Sequence, residues 1–293
     1  MQDLAQQIVS GLATGSIFAS MALALVLIYR SMGVINFAQG EMAMLTTFVA
    51  WQLAQAGIPL WAAFGITIAA AFAGAVALEA IVIRPVERAA PLTVVIVTLG
   101  LFTTCNGVAG WIWGYVVKPF PALFPVTPIR LGEISFSSQD LGIIAVSLAA
   151  LGLISLLFQK TKLGLAMRAA ALYPEESRAL GIRVSWMLAL GWGFAAAMGA
   201  LSGIMVAPVV FLDPNMMQGI LVYAFAAAVL GGVESPLGAV IGGLLLGVLM
   251  NLLGTYVAVI GTELRLAVAF AVIVVVLLVR PAGLFGRPKL QRV

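Results

Sequence analysis

Three polar side chains interrupt the apolar first part of the chain. They are Asn36, Gln39 and Glu41, within residues 32–42 (MGVINFAQGEM). Polar amides and a carboxylate here could line a pore, and Gly33 and Gly40 favour a break in a helix. Irregular backbone at membrane depth is tolerated where it is buried in protein or lines a cavity. The run is therefore either a pore-lining or conformationally mobile break, or an ordinary cytoplasmic turn in which Glu41 stabilises the next helix through its dipole.

Other polar residues lie inside long apolar runs, where polar groups usually face the bundle interior and often a solute path. A buried amide needs hydrogen-bonding partners, which favours Asn106 and Asn251 as path residues. Threonine hydroxyls can bond their own helix, so most of the threonines are expected to be structural. We expect Glu79 to form a local ion pair with Arg84 or Arg88. The predicted path residues are Asn36, Gln39, Glu41, Thr103, Asn106 and Asn251.

The residue types that most often perform catalysis or bind metals are scarce. The chain has no His, and its single Cys105 lies in an apolar run. This composition leaves no disulfide, no thiolate cluster and no histidine base. No phosphate-binding G-x-x-x-x-G-K-[ST] motif occurs. The sequence thus predicts a chain that is not an enzyme and holds no metal or cofactor. Its net charge of +4 gives no case for nucleic-acid binding.

The long polar segment at residues 159–184 contains a pattern typical of a short, complete helix. Pro174 suits the first helical position, and Gly181 suits the position just past the end. Two turns are too short to be stable alone. This helix must therefore rest on its own membrane domain or on a soluble partner, or lie flat at the lipid interface. The candidate contact residues are Arg168, Tyr173, Pro174, Glu175, Glu176, Ser177, Arg178, Leu180 and Gly181.

The elements that must position these residues are membrane helices. The chain is 63% hydrophobic and 9% charged, whereas soluble domains carry about 25% charged residues. Its apolar runs are continuous, which favours helices over a barrel, and several exceed the roughly 20 residues that cross a bilayer. We predict one all-α transmembrane domain over residues 1–293, with eight to nine spans. The spans lie near residues 8–29, 41–56, 60–83, 92–113, 141–159, 186–206, 218–232, 237–257 and 265–279.

The distribution of basic residues predicts the topology. With the N-terminus outside, twelve of the fifteen Lys and Arg residues fall inside, and the C-terminus is cytoplasmic. If residues 41–56 form a broken or re-entrant helix, eight spans remain, the N-terminus is inside and only Arg30 changes sides. The sequence leaves both topologies open. The inside set is Arg30, Arg84, Arg88, Lys160, Lys162, Arg168, Arg178, Arg183, Arg280, Arg287, Lys289 and Arg292, and the outside set is Lys118, Arg130 and Arg265.

Two further patterns concern loops and packing. The outer loop at residues 114–140 is rich in proline, which predicts an extended cap, with a small hairpin over residues 128–138.

Glycines four residues apart let membrane helices approach closely. Such pairs predict helix contacts at Gly199 and Gly203, Gly238 and Gly242, and Gly243 and Gly247.

Four stretches, in order along nearly the whole chain, resemble the branched-chain amino-acid ABC transporter permease family, and its LivH-type members most closely. They are residues 33–42 (GVINFAQGEM), 164–182 (GLAMRAAALYPEESRALGI), 224–247 (AFAAAVLGGVESPLGAVIGGLLLG) and 280–286 (RPAGLFG). Relatives in this family also serve urea, short amides and similar solutes. The resemblance identifies the family more closely than the solute.

The resemblance implies one subunit of a binding-protein-dependent importer in a bacterial inner membrane. A second related permease completes the path, usually as a heterodimer. Two cytoplasmic ATPases supply ATP and magnesium chemistry, and a periplasmic protein delivers the solute. The segment around Pro174–Leu180 falls where this family's coupling helix lies. In the broader importer pattern a Glu precedes the run of small residues, whereas Arg168 stands there in this chain, so the register against that pattern stays open.

A self-contained secondary transporter or channel for small neutral solutes is the alternative. Ion-coupled carriers usually hold ionisable residues near the midplane. Here the acidic residues mostly lie at span ends or in loops, which counts against that class. A membrane enzyme has almost no support, since histidine and clustered acids are missing. The sequence does not name the solute.

Overall fold

The computed structural model describes residues 2–87, 89–125, 127–131, 134–257, 261 and 264–286. Within them, apolar sequence forms long helices and the proline-rich outer segment remains irregular. The helices are α1 (Gln2–Met32), α2 (Gln39–Gln55), α3 (Leu60–Leu78), α4 (Pro91–Trp113), α5 (Ser138–Lys160), α6 (Lys162–Leu172), α7 (Pro174–Ala179), α8 (Val184–Val210), α9 (Met216–Gly231), α10 (Pro236–Tyr256) and α11 (Arg265–Val279).

The predicted helical bundle is confirmed, but the predicted number of spans is not. Six helices among the described residues are long and apolar enough to cross a membrane. They are α1, α3 with its continuation to Val86, α4, α5, α8 and α10. Two shorter apolar helices, α9 and α11, accompany them. The predicted outer hairpin is confirmed: β1 (Pro128–Leu131) pairs antiparallel with β2 (Ile134–Ser137).

Hydrogen bonds between distant residues define two ends of the bundle. At the end that we call the outer end, Ser10 at the start of α1 donates to Asp140 of α5, with 3.0 Å between the oxygens. At the opposite, inner end, the Leu284 amide donates to the Leu230 carbonyl at 2.8 Å. A cavity at this end is lined by both Arg30, near the end of α1, and Pro174 of α7. The chain thus begins at the outer end, and its last described residues lie at the inner end.

Helices α1 and α8 form the interior. Both are largely buried, whereas α3, α4 and α5 expose most of their surface. The predicted glycine contacts are confirmed. Gly243 and Gly247 of α10 lie against Ala19 and Gly15 of α1, Gly199 and Gly203 of α8 lie against α2, and Gly238 and Gly242 of α10 lie against the end of α9. Residues without bulky side chains thus place the backbones in direct contact, as membrane helices require.

The expected ion pair at the inner end of α3 is also confirmed. Arg84 donates to the buried carboxylate of Glu79 at 2.7 Å. Glu79 lies in a π-helical turn that continues α3 (Glu79–Ile83), and Arg84 begins the 3₁₀ turn that follows. The charge of Glu79 is therefore neutralised locally. The alternative partner, Arg88, lies outside the described residues.

Candidate functional site

The connection between α1 and α2 is a buried, hydrogen-bonded break. Gly33 takes a left-handed conformation, with φ +70°, which glycine adopts without steric penalty. The Asn36 side chain accepts a hydrogen bond from the Ala38 amide at 3.0 Å and donates to Gln39 Oε1 at 3.2 Å. Asn36 and Gln39 are both buried. The Asn36 side-chain oxygen thus satisfies the Ala38 amide, which lies between the two helices, and Gln39 holds the Asn36 side chain in place.

The break lies inside the bundle. Gln39 donates from Nε2 to the carbonyl oxygen of Ala195 at 3.0 Å. Ala195 lies about 16 Å along α8 from its first residue, Val184. Helix α2 therefore starts roughly halfway along α8 and continues to the outer end, where Gln52 accepts a hydrogen bond from Trp113 at 3.1 Å. This arrangement has one feature of each predicted topology. A break precedes the second helix, as in the eight-span topology, and α1 begins at the end opposite α7, as in the nine-span topology.

Glu41, Asn106, Asn215 and Gln218 form a group that we call the amide–carboxylate cluster. Asn106 Nδ2 lies 3.3 Å from Glu41 Oε2, 2.8 Å from the Pro214 carbonyl oxygen and 3.2 Å from Asn215 Oδ1. Gln218 donates to Asn215 Oδ1 at 3.0 Å, and its side chain lies near the Glu41 carboxylate. Glu41 is only 1% exposed, whereas Asn215 and Gln218 reach the surface. The cluster thus joins a buried carboxylate to an exposed rim of amides.

Three helices and one tight turn position this cluster. Glu41 lies in the first turn of α2, Asn106 lies in α4, and the other two residues lie at the start of α9. Before α9, Leu212 pairs with Lys118 through two backbone hydrogen bonds of 2.9 Å, and Asp213 accepts from the Asn215 amide at 2.7 Å. These bonds fix the direction in which α9 begins. The Asn215 side chain is consequently held opposite Asn106.

The cluster lies well below the outer end. Trp51, Trp61 and Trp113 are at that end, and tryptophan is enriched at membrane interfaces. Glu41 is about 15 Å from Trp51 along α2, and Asn106 is about 10 Å from Trp113 along α4. A hydrocarbon core is about 30 Å thick. With tryptophan at the interface, the cluster falls at membrane depth.

The other two predicted path residues lie apart from the cluster. Asn251 donates to the carbonyl and the side-chain oxygens of Gln7 at 2.7 and 2.8 Å, and thereby ties α10 to α1 at the outer end. Thr103 donates to the Leu99 carbonyl of its own helix at 3.1 Å and is exposed on the surface of α4. The structure therefore brings Glu41 and Asn106 together, with Gln39 and Asn36 next to Glu41, and leaves Asn251 elsewhere.

Sequence reasoning missed Asn215 and Gln218, which complete the cluster. They follow Asp213 and Pro214 in the run LDPNMMQ between α8 and α9. The run carries a usable signal, because Asp-Pro-Asn between two apolar segments is typical of a turn with polar side chains. Its proximity to Glu41, however, depends on how α9 packs against α2, which a single sequence does not show.

The second candidate site is α7 at the inner end, and its predicted helix is confirmed. The helix ends in a Schellman motif, in which Ile182 N donates to Ser177 O at 2.9 Å and Gly181 N donates to Arg178 O at 3.0 Å. Gly181 has φ +82°, as this motif requires. The end of α7 is therefore fixed by its own hydrogen bonds, despite its short length.

One face of α7 is buried and the other is open. Ser177 is buried against the bundle, whereas Leu180 is 81% exposed and Tyr173 is 60% exposed. Glu175 accepts from Arg178 at 2.6 Å on the surface. A cavity of about 1280 Å³ lies beside the helix and extends to Arg30 and Gly33 at the end of α1. Thus α7 rests on its own chain and still presents apolar and charged groups outward.

Helix α6 precedes α7 and was not predicted. Thr161 caps it by accepting a hydrogen bond from the Gly164 amide at 3.0 Å. The buried residues Gly164, Met167 and Ala170 recur at helical spacing, which is the signal that the sequence offered. Arg168 lies on this helix, with its Nε atom 3.4 Å from the Gly164 carbonyl oxygen. A connected pair of helices, not a single helix, therefore forms the inner surface.

Comparisons with known proteins show the family of this chain. Residues 7–277 match the family model described as branched-chain amino acid transport system / permease component. The chain is 30% identical over 304 residues to the high-affinity branched-chain amino acid transport system permease protein LivH of Escherichia coli (strain K12), covering 98% of this chain and 97% of LivH. It is 31% identical over 304 residues to BraD of Pseudomonas aeruginosa, with the same coverage.

A solved structure resembles the fold. PsaBC from Streptococcus pneumoniae in complex with Fab matches with a TM-score of 0.51 and 12% sequence identity, over 93% of this chain and 91% of the other. The apolar helices and the match to permease components identify a multi-pass membrane permease component. The chain belongs to the branched-chain amino acid transport system permease family.

Proposed function

We propose that this chain is the transmembrane permease subunit of an ATP-driven, binding-protein-dependent importer. Its solutes are branched-chain amino acids or related small amino-acid, amide or urea-type solutes. The observation that carries this proposal is the match to permease components over residues 7–277. The described helices are consistent with this proposal. Helices α1 and α8 form the interior, and α3, α4 and α5 expose surface that another membrane subunit can cover.

The proposed importer has four other subunits around this chain. A second, related permease completes the path, two cytoplasmic ATPases bind ATP and magnesium, and a periplasmic protein delivers the solute. Helix α7 is the contact with one ATPase, which its exposed Leu180 and Tyr173 support. The location is a bacterial inner membrane, with the inner end and the C-terminus in the cytoplasm. The chain passes nine times, and α2 together with its preceding break forms the second pass.

The proposed solute path follows the break and the amide–carboxylate cluster. Asn36 and Gln39 support this path because they hold irregular backbone inside the bundle. Glu41 and Asn106 lie at membrane depth beside the exposed amides of Asn215 and Gln218. Thr103 lies on α4, as Asn106 does, and is exposed. We leave Asn251 out of the path because its amide ties α10 to α1.

Reconstitution tests the proposal. The complete set of subunits in liposomes should take up leucine only when ATP is inside with the ATPases and the binding protein is outside. A set without the ATPases, and one with a nonhydrolysable ATP analogue, are the controls. Uptake by this chain alone in liposomes without ATP would contradict the proposal and favour a secondary transporter.

A further inference from the structure

We infer that the amide–carboxylate cluster binds the ammonium group of the transported solute, with Glu41 as its direct partner. The ligand class is a small primary amine that carries a neighbouring carboxylate, as an α-amino acid does. This inference rests on the proposed function, because it places a solute contact inside the proposed path. It adds Asn215 and Gln218 to the residues that the path uses.

The first argument is the exposure of amides at membrane depth. Asn215 and Gln218 reach the surface of this chain beside a buried carboxylate. An unsatisfied polar group in hydrocarbon costs several kcal/mol, so polar residues at this depth almost always face protein or a water-filled cavity. The surface formed by α4 and the start of α9 is therefore expected to face an aqueous path in the assembled transporter.

The second argument is the unused bonding capacity of Glu41. A carboxylate accepts about four hydrogen bonds. Asn106 donates to Glu41 at 3.3 Å, and the other polar side chain near the carboxylate, Gln218, is also a neutral amide. Within the described residues, no Lys or Arg side chain lies within 4 Å of the Glu41 carboxylate. A buried charge is stable when it is paired and hydrogen-bonded. A solute ammonium would supply both the charge and the missing donors.

The third argument concerns the carboxylate end of the solute. Asn215 Oδ1 accepts from Asn106 and from Gln218, so its Nδ2 group points away from both. This amide nitrogen donates no hydrogen bond within the described part of the chain, and Asn215 is exposed. It is free to donate to an anion beside the cluster. The cluster thus offers a negative partner for an ammonium group and, on its exposed rim, a hydrogen-bond donor for a carboxylate.

The structure shows this site closed. Asn106 and Gln218 cover Glu41, which is 1% exposed. Binding therefore requires that the solute ammonium displaces these two amides from the carboxylate. Because α4 packs chiefly on α2, a shift of α4 removes Asn106 without disturbing the interior helices. Solute binding and the position of α4 are consequently coupled.

Charge-selective labelling tests the inference in the complete transporter, reconstituted in lipid nanodiscs. Gln218→Cys is introduced in a Cys105→Ala background, and the rates of modification by cationic MTSET and anionic MTSES are measured. Relative to a free thiol, we expect the cationic reagent to be favoured about tenfold, because the Glu41 charge attracts it. Leucine and isopentylamine should slow the labelling, whereas 4-methylpentanoate, which lacks the amine, should not.

Two substitutions of Glu41 distinguish the effect of its charge from an effect on folding. Adding Glu41→Gln should lower the preference for the cationic reagent toward that of the free thiol, with the nearby Asp213 carboxylate still present, and Glu41→Asp should preserve the preference. Glu79→Gln is the matched control, because it removes another buried carboxylate at the other end of the bundle. It should leave the ratio at Gln218→Cys unchanged. The protection by amines is measured with Glu41 intact, so it tests the site even if Glu41→Gln does not fold.

Three results would overturn the inference. They are a Gln218→Cys thiol that neither reagent modifies, a rate ratio that Glu41→Gln leaves unchanged, and equal protection by 4-methylpentanoate and isopentylamine. Uptake by the unmodified transporter is measured separately. If ATP-dependent import is present and any of these results is found, only the ammonium site is wrong. If import is absent, the proposed function itself is wrong.

Discussion

At the scale of single residues, the crossing of α1 and α10 depends on the absence of side chains. A Cβ atom added at Gly247 would collide with the backbone of Gly15 and Gly11, and one at Gly243 would collide with Ala19. Atoms of the backbone cannot move aside as a flexible side chain can. The two helices therefore remain close only while these positions stay small.

This crossing gives the residue-scale prediction. Gly247→Leu should destabilise the folded chain by about 1–3 kcal/mol or more, because the extra volume forces α10 away from α1. Thermal unfolding of the purified protein, followed by size-exclusion chromatography, measures the change. Gly152→Leu is the control, since no atom lies within 4 Å of a Cβ added there on the surface of α5. Equal stability of the two variants would contradict this account of the crossing.

At the scale of elements, α7 shows how a very short helix is held in a fixed conformation. Its Schellman bonds close the C-terminal end, and buried Ser177 anchors one face. Conformational entropy that a free peptide would lose on docking is thus already lost in the folded chain. A preorganised surface binds with less entropic cost than a flexible loop.

We predict that Leu180→Asp strongly weakens the contact with the ATPase. Placing a carboxylate in an apolar interface adds a desolvation cost, and loss of an interface anchor costs at least about 2 kcal/mol, or roughly thirtyfold in affinity. Co-purification of the ATPases with the permease measures the effect. Val116→Asp, at a similarly exposed apolar residue of the outer end, should have no effect. Unchanged co-purification with Leu180→Asp would rule out α7 as the contact.

The local elements could be predicted from the sequence where the signal is local. The ends of α7 follow from Pro174 and Gly181, and the outer hairpin follows from its turn residues. The glycine contacts follow from spacing alone. The amide–carboxylate cluster could not be derived in this way, because Asn106 and Asn215 are far apart in the chain and meet only after α4 and α9 pack beside α2. Nor did the pattern of apolar residues show that α2 would begin halfway along α8.

At the scale of the whole molecule, the two ends differ in charge and in shape. The inner end holds α6, α7 and most of the described basic side chains, whereas the outer end holds tryptophans and the proline-rich segment. Positive residues favour the cytoplasmic side of membrane proteins. The inner end is therefore expected to face the cytoplasm.

Labelling of engineered cysteines checks this orientation. In a Cys105→Ala background, Val116→Cys at the outer end should react with a membrane-impermeant maleimide in intact spheroplasts, and Leu180→Cys at the inner end should not. Inverted vesicles from cells that produce the permease without its ATPases should show the opposite pattern. Labelling of both cysteines from one side would contradict the topology. Each preparation serves as the control for the other, because both variants are exposed in the folded chain.

The central position of α1 has a consequence for biosynthesis. Its neighbours come from far along the chain: Ser202 bonds Ile17 across 185 residues, and Asn251 bonds Gln7 across 244 residues. At about 5–20 residues per second, α1 leaves the ribosome roughly 12–50 s before its last partner is made. During that time lipid or an insertase must cover the surfaces of α1 that later contact α8 and α10, including the glycines that face α10. Although α1 is made well before α8 and α10, it reaches its native surroundings only after both have been made.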